Sequence, residues 1–168
     1  PCTIYAPIDS TNLFYDCLYT KTFKLAKLNT SNVTNMQGMF SSCMDAETID
    51  LSGFNTSKVT NMSSMFYFDG GNVVTLDVSS FDTSNVTDMS LMFALTDNNS
   101  LTNIIFSSKF VTTKVTDMSS MFSGCNALKS LDLSTFDTTH ISSSSTTLFS
   151  GCESLEFLTT PKDRKSVV

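Results

Sequence analysis

Apolar and polar positions along this chain recur as a block. The pattern Val-Thr-Asx-Met-x-x-Met-Phe occupies residues 33–40, 59–66, 86–93 and 115–122, and a degenerate copy from Ile141 to Phe149 has Ser and Thr in place of both Met. The closing Phe residues stand at 40, 66, 93, 122 and 149, so successive blocks are 26, 27, 29 and 27 residues apart. A half copy precedes them, in which Leu13-Phe14, Cys17, Phe23 and Leu25 match Met121-Phe122, Cys125, Leu131 and Leu133.

Two periodicities sit inside each block. Met, Met and Phe at i, i+3 and i+4 predict one face of a short helix, with Thr34, Thr60, Thr87 and Thr116 and the Asx after each capping its first amides. Nine or ten residues on, Ile49-Asp50-Leu51, Leu76-Asp77-Val78, Ile104-Ile105-Phe106 and Leu131-Asp132-Leu133 alternate with period two, which predicts short strands with one residue pointing out. One helical turn and one strand cannot bury a core alone, so the blocks must stack. The expected architecture is an α/β right-handed solenoid of about five to six turns, with parallel strands on one face and short helices on the other. Its turns are 1–27 (partial), 28–53, 54–80, 81–109, 110–135 and 136–160, with a charged tail or linker at 161–168. A parallel β-helix is the alternative, and the helix-forming Met-x-x-Met-Phe face weighs against it. Extra residues near Asp69-Gly70-Gly71-Asn72 and Asp97-Asn98-Asn99-Ser100 read as loop insertions between helix and strand.

Composition changes the picture in two ways. Ser and Thr number 27 and 24 of 168 residues, while only 15% of residues are charged, so hydroxyls replace charge as the surface chemistry. At fixed offsets in a repeat they read as internal polar bonding, which sets aside a mucin-like or disordered segment. The net charge of −6 argues against nucleic-acid binding, which needs clustered bases. No run approaches 18 apolar residues, so no transmembrane segment is expected. The opening Pro1-Cys2-Thr3 has no leader-like pattern and suggests a fragment of a longer chain.

The pattern Leu-Asp-Leu-Ser-x-Phe-Asp-Thr-Ser-x-Val-Thr-Asp-Met-Ser-x-Met-Phe-x-x-Cys resembles the 26-residue repeat of bacterial surface proteins of mycoplasma and Gram-positive lipoproteins, and is similar to leucine-rich repeats of the BspA type. The resemblance covers roughly residues 13–160. It implies a leucine-rich-repeat-like fold, an extracellular or cell-surface location, and adhesion or binding of a host or neighbouring-cell protein. Lys24 and Ile105 depart from it where the pattern has Asp.

Candidate chemistry is sparse. Cys17, Cys43, Cys125 and Cys152 each follow the block's Phe by three residues, so stacked turns bring 17 near 43 and 125 near 152. Either disulfides Cys17–Cys43 and Cys125–Cys152 or a ladder of reduced buried thiols fits that spacing. His140 is the single imidazole, at a position where other blocks have Asn32, Lys58, Asn85 or Lys114, and it reads as a solvent-exposed bystander. No serine has a base and an orienting partner; the chain reads as a non-enzyme without cofactor. The outward strand row of Asp50, Asp77, Ile105 and Asp132, flanked by Thr48, Thr75, Asn103 and Ser130, is the candidate ligand face. Calcium between Asp50 and Asp77 is a weaker reading, and local backbone capping by each Asp a third. Lys21, Lys24 and Lys27 at one end and Lys162, Arg164 and Lys165 at the other suggest polar end covers against end-to-end stacking, and hence a monomer. A structural stalk and a carbohydrate-binding surface are the alternative functions.

Overall fold

The computed structural model describes residues 3–68, 71–96, 99–141 and 147–161. The described residues wind into six stacked coils, numbered 1 (3–27), 2 (28–53), 3 (54–80), 4 (81–109), 5 (110–135) and 6 (136–160). Coil 1 holds β1 (Ile4–Tyr5) and β2 (Thr22–Lys24), and coil 2 holds β3 (Leu28–Asn29) and β4 (Thr48–Asp50). Coils 3 to 6 each end in one strand: β5 (Thr75–Asp77), β6 (Asn103–Ile105), β7 (Ser130–Asp132) and β8 (Phe157–Thr159). All pairings are parallel: β1 with β3, β2 with β4, β5 with β6 and β7 with β8. Each three-residue strand through β7 buries only its central residue.

The helices expected opposite the strands do not exist: among the described residues there is none, so the α/β, leucine-rich-repeat-like reading is overturned. The reason lies two residues after the first Met of each block. Gly38, Ser64, Leu91 and Ser120 have φ of +59°, +54°, +56° and +54°, and Asn12 has +56°. A left-handed residue there closes a tight turn, from the second Met amide to the first Met carbonyl at 3.1–3.2 Å in all four blocks. Spacing of i, i+3 and i+4 thus brings Met, Met and Phe to one side without a helix. The left-handed backbone costs a non-glycine residue roughly 1–2 kcal/mol, and hydrogen bonds to the neighbouring coil offset it.

Those bonds alternate along the arc. The amides of Met36, Gly38, Phe40 and Ser42 donate to the carbonyls of Asn61, Ser63, Met65 and Tyr67 in coil 3, while Met39, Ser41 and Cys43 donate to carbonyls three residues back. Met62, Ser64 and Phe66 repeat the pattern onto Asp88, Ser90 and Met92, and Met89, Leu91, Phe93 and Leu95 onto Asp117, Ser119, Met121 and Ser123. Backbone groups satisfied between coils have no use for bonds along a helix. The expected caps are corrected with it. Thr34, Thr60, Thr87 and Thr116 point their hydroxyls at the carbonyl of the preceding coil, at 3.1–3.4 Å. Asn35, Asn61, Asp88 and Asp117 do accept an amide two residues on, at 2.8–3.0 Å, within a turn.

The core consists of columns. Phe14, Phe40, Phe66, Phe93, Phe122 and Phe149 stack at centroid spacings of 5.2–5.9 Å through all six coils. The paired methionines of coils 2 to 5 are fully buried beside them, and each buried side chain contributes about 1.5–3 kcal/mol. A polar column runs alongside. Thr30, Thr56, Thr83 and Thr112 are buried, and each hydroxyl donates to a carbonyl of the next coil while accepting that same residue's amide: Asn55, Asp82, Val111 and Asp137. A buried hydroxyl used both ways leaves no polar atom stranded. The Phe-Asx-Thr-Ser lead-in is repeated because this column needs Thr.

The strand face is discontinuous, for a reason countable in the sequence. From the column Phe to the strand start is eight residues in coils 1, 2, 5 and 6 (14 to 22, 40 to 48, 122 to 130, 149 to 157), nine in coil 3 (66 to 75) and ten in coil 4 (93 to 103). Strands pair within 8–8, 9–10 and 8–8, and no pairing joins β4 to β5 or β6 to β7, where the spacing changes by one and by two. The insertions make their own link between coils 3 and 4 through bridges Phe68–Leu95 and Gly71–Asn99. Residues 69, 70, 97 and 98 of those insertions, and 142–146 of the degenerate block, lie outside the described residues.

Candidate ligand-binding face

The predicted row lies on the surface. Thr48, Thr75, Asn103 and Ser130 are exposed, as are Asp77, Ile105 and Asp132, while Asp50 is half-buried. The row is not one ribbon, because the breaks after β4 and β6 divide it. The strands pair Lys24 with Asp50 and Asp77 with Ile105, so Asp50 and Asp77 face each other across a gap. That gap is a groove of about 110 Å³ lined by Ile49, Asp50, Leu51, Ser52, Asp77, Ser79 and Ser80. Ser80 spans it at depth, donating from Oγ to the Leu51 carbonyl at 2.9 Å. Ser80 had no role in the sequence reading; the signal for the groove was the step of nine, not eight, from Phe66 to Thr75.

Each strand Asp also works locally. One oxygen of Asp50 accepts the Ser52 amide at 3.1 Å and its hydroxyl at 2.6 Å, and Asp77 and Asp132 each accept an amide two residues on at 2.9 Å. The Ser52 hydroxyl, then its amide, hold the Asp50 carboxyl below its ordinary value. The second oxygen of Asp50 has no partner among the described residues. No group of three or more His, Cys, Asp or Glu poised for a metal ion occurs among them either.

The four cysteines of the thiol ladder are free. Cys43, Cys125 and Cys152 point their thiols at the carbonyls of Phe14, Phe93 and Phe122 in the preceding coil, at 3.1–3.2 Å. Burial pushes Cys43 up to about 12, with Cys17 close beside it. The neighbouring Cys152 thiol, and burial after it, raise Cys125, while the same proximity lowers Cys152, the more exposed partner. The spacing thus brings the expected pairs together, as thiols. Cys2 lies outside the described residues. His140 is exposed, at the end of a polar column in which Lys58 donates to Asn32 and Lys114 to Asn85.

A family model described as a Mycoplasma protein of unknown function, DUF285, matches the chain twice, over residues 8–100 and 67–164. The chain belongs to that family. Together the two matches span nearly every coil, in keeping with a repeat whose boundaries can be set in more than one place. Searches of curated proteins and of solved structures found no match. No helix of the described residues is long and apolar enough to cross a membrane.

Proposed function

We propose that this DUF285 chain is a non-catalytic interaction module of a bacterial surface protein, and that it engages a protein of a host or neighbouring cell through its strand face. The observation that carries this reading is the groove between β4 and β5. It places two carboxylates beside the apolar floor of Ile49 and Leu51, with serine hydroxyls at its edge. Such a site suits a lysine or arginine of an extended partner segment, its charge at Asp50 and Asp77 and its methylenes on the floor. The likeness to surface repeats, including the BspA type, supports the extracellular setting.

The test is a binding screen against host proteins and cells with the triple variant Asp50→Ala, Asp77→Ala, Asp132→Ala. Affinity for the partner is expected to fall at least tenfold; unchanged affinity for every detected partner removes the function from this face. A stalk is the second reading, favoured by the stacked phenylalanine and threonine columns, which suit a stiff spacer. Under that reading the isolated chain shows no saturable binding while a longer protein containing it does.

A further inference from the structure

We propose that Cys17 with Cys43, and Cys125 with Cys152, are sites of disulfide formation that staple coil 1 to coil 2 and coil 5 to coil 6, with a low-molecular-weight disulfide such as oxidised glutathione as the oxidant. The proposal goes beyond the strand-face reading and does not depend on it.

The first support is where cysteine occurs. It holds the third place after the column Phe in coils 1, 2, 5 and 6, the four coils in which eight residues lead from that Phe to the strand. Asp69 and Thr96 hold the place in coils 3 and 4, where the step is nine and ten. Pairs of cysteines therefore fall only at junctions between coils of equal spacing, where the two turns superimpose. The junction between coils 3 and 4 is tied instead by the backbone bridges Phe68–Leu95 and Gly71–Asn99.

The second support is the geometry of the corner. Around the first pair, the Asp16 amide donates to the Ser41 carbonyl at 3.0 Å and the Asp45 amide to the Leu18 carbonyl at 3.1 Å. Around the second, Gly124 donates to the Ser150 carbonyl at 2.7 Å and Glu156 to the Lys129 carbonyl at 2.9 Å. Such bonds hold neighbouring chains about 4.8 Å apart, inside the roughly 4.4–6.8 Å between Cα atoms that a disulfide spans. The amides of Cys43, Cys125 and Cys152 close the same turn onto Phe40, Phe122 and Phe149, at 3.1–3.3 Å. The thiols of Cys43 and Cys152 are turned toward the coil that holds their partner, at 3.1 Å from the Phe14 and Phe122 carbonyls.

Bond formation is thiol–disulfide exchange. One cysteine of a pair, as thiolate, attacks a sulfur of the oxidant and releases one glutathione thiolate; its deprotonated partner then attacks the mixed disulfide at the protein sulfur and releases the second. Each pair gives up two protons and two electrons, and one glutathione disulfide becomes two thiols. The oxidant reaches the sulfurs while the chain folds, so the step does not turn on what covers coils 1 and 6.

The test refolds the full chain from urea in a buffer of oxidised and reduced glutathione, blocks remaining thiols with iodoacetamide and maps the linkages by mass spectrometry of non-reduced peptides. Cys17–Cys43 and Cys125–Cys152 are expected as the major linkages, with Cys2 in neither. The urea midpoint of the oxidised chain is expected to exceed that of the same chain in dithiothreitol by about 1 M or more per linkage. Cys43→Ser and Cys125→Ser should each abolish one linkage and its share of that oxidised-minus-reduced difference, a quantity that a purely packing role of the thiol leaves unmoved. Cysteines that all remain open to iodoacetamide, one pair formed without the other, a different major linkage, or a midpoint no higher with the linkages than without them overturns the proposal.

Discussion

The Met-Phe arc and the strand arc belong to the same coils and carry the same number of repeats, yet one is continuous and the other broken. Along the arc, parallel bridges run from Asp9 to Asn35, Asn61, Asp88 and Asp117 without interruption. On the opposite side the strands form separate pairs. The difference is one of spacing. The arc is read from the Asx to the Phe over the same number of residues in coils 2 to 5, so its turns superimpose. The strand is reached through a segment of eight, nine or ten residues, and pairing fails where that length changes to or from eight. Stacking is therefore set by the arc, and the strand face is free to open a groove where a single residue is added.

Substitutions in the arc and its columns are expected to weaken the whole stack, and substitutions on the strand face to leave it nearly unchanged. The largest effect falls on Phe93→Ala, in the middle of the phenylalanine column, at a cost of about 3–5 kcal/mol by urea unfolding. Thr83→Val keeps the shape but strands the amide and carbonyl of Val111, now bonded to its hydroxyl at 2.7 and 2.6 Å, and should cost about 2–3 kcal/mol. Gly124→Ala is expected to cost about 2 kcal/mol, since φ is +75° and a Cβ would strike the Leu95 carbonyl oxygen. On the strand face, Asp132→Ala should change stability by less than about 0.5 kcal/mol; a loss as large as that of Thr83→Val would erase the distinction between the two sides.

Acid gives a smaller test. Asp9, Asp50 and Asp82 are held below their ordinary values, each first by a hydroxyl two residues on and then by that residue's amide. A depressed carboxyl contributes stability that is fully present above its unfolded value of about 3.9 and is lost as pH falls through its folded value. Urea midpoints measured between pH 7 and pH 3 should be flat above about pH 5 and decline below about pH 4, with a shallower decline in Asp50→Asn.

Much of this was legible in the residues and part was not. The 26-to-29-residue period, the inward Ile49, Leu76, Ile104 and Leu131, and the adjacency of the cysteines all follow from spacing alone. The helix was misread because a left-handed residue in a Met-x-x-Met turn gives the same i, i+3, i+4 grouping as a helical turn. Gly38 was a signal for it in one block only, and Ser64, Leu91 and Ser120 hid it in the others. The threonine column was visible as repetition, but its two-way bond depends on a neighbouring backbone that a sequence does not display. For the candidate face, the exposure of most of the row is what period-two alternation implies, while the groove required noticing that Thr75 arrives one residue late.

Native-state amide hydrogen exchange tests most directly the claim that the arc holds the stack while spacing breaks the sheet. The Thr48, Asn103 and Phe157 amides donate to Lys21, Val74 and Lys129 carbonyls at 3.1, 3.3 and 3.2 Å, whereas Thr75 and Ser130, the same strand position at the two breaks, make no such bond among the described residues. The account predicts slow exchange at the first three, fast exchange at Thr75 and Ser130, and uniformly slow exchange at the arc amides of Met36, Met62 and Met89. Protection of Thr75 and Ser130 equal to that of Thr48, or fast exchange along the arc, would contradict it.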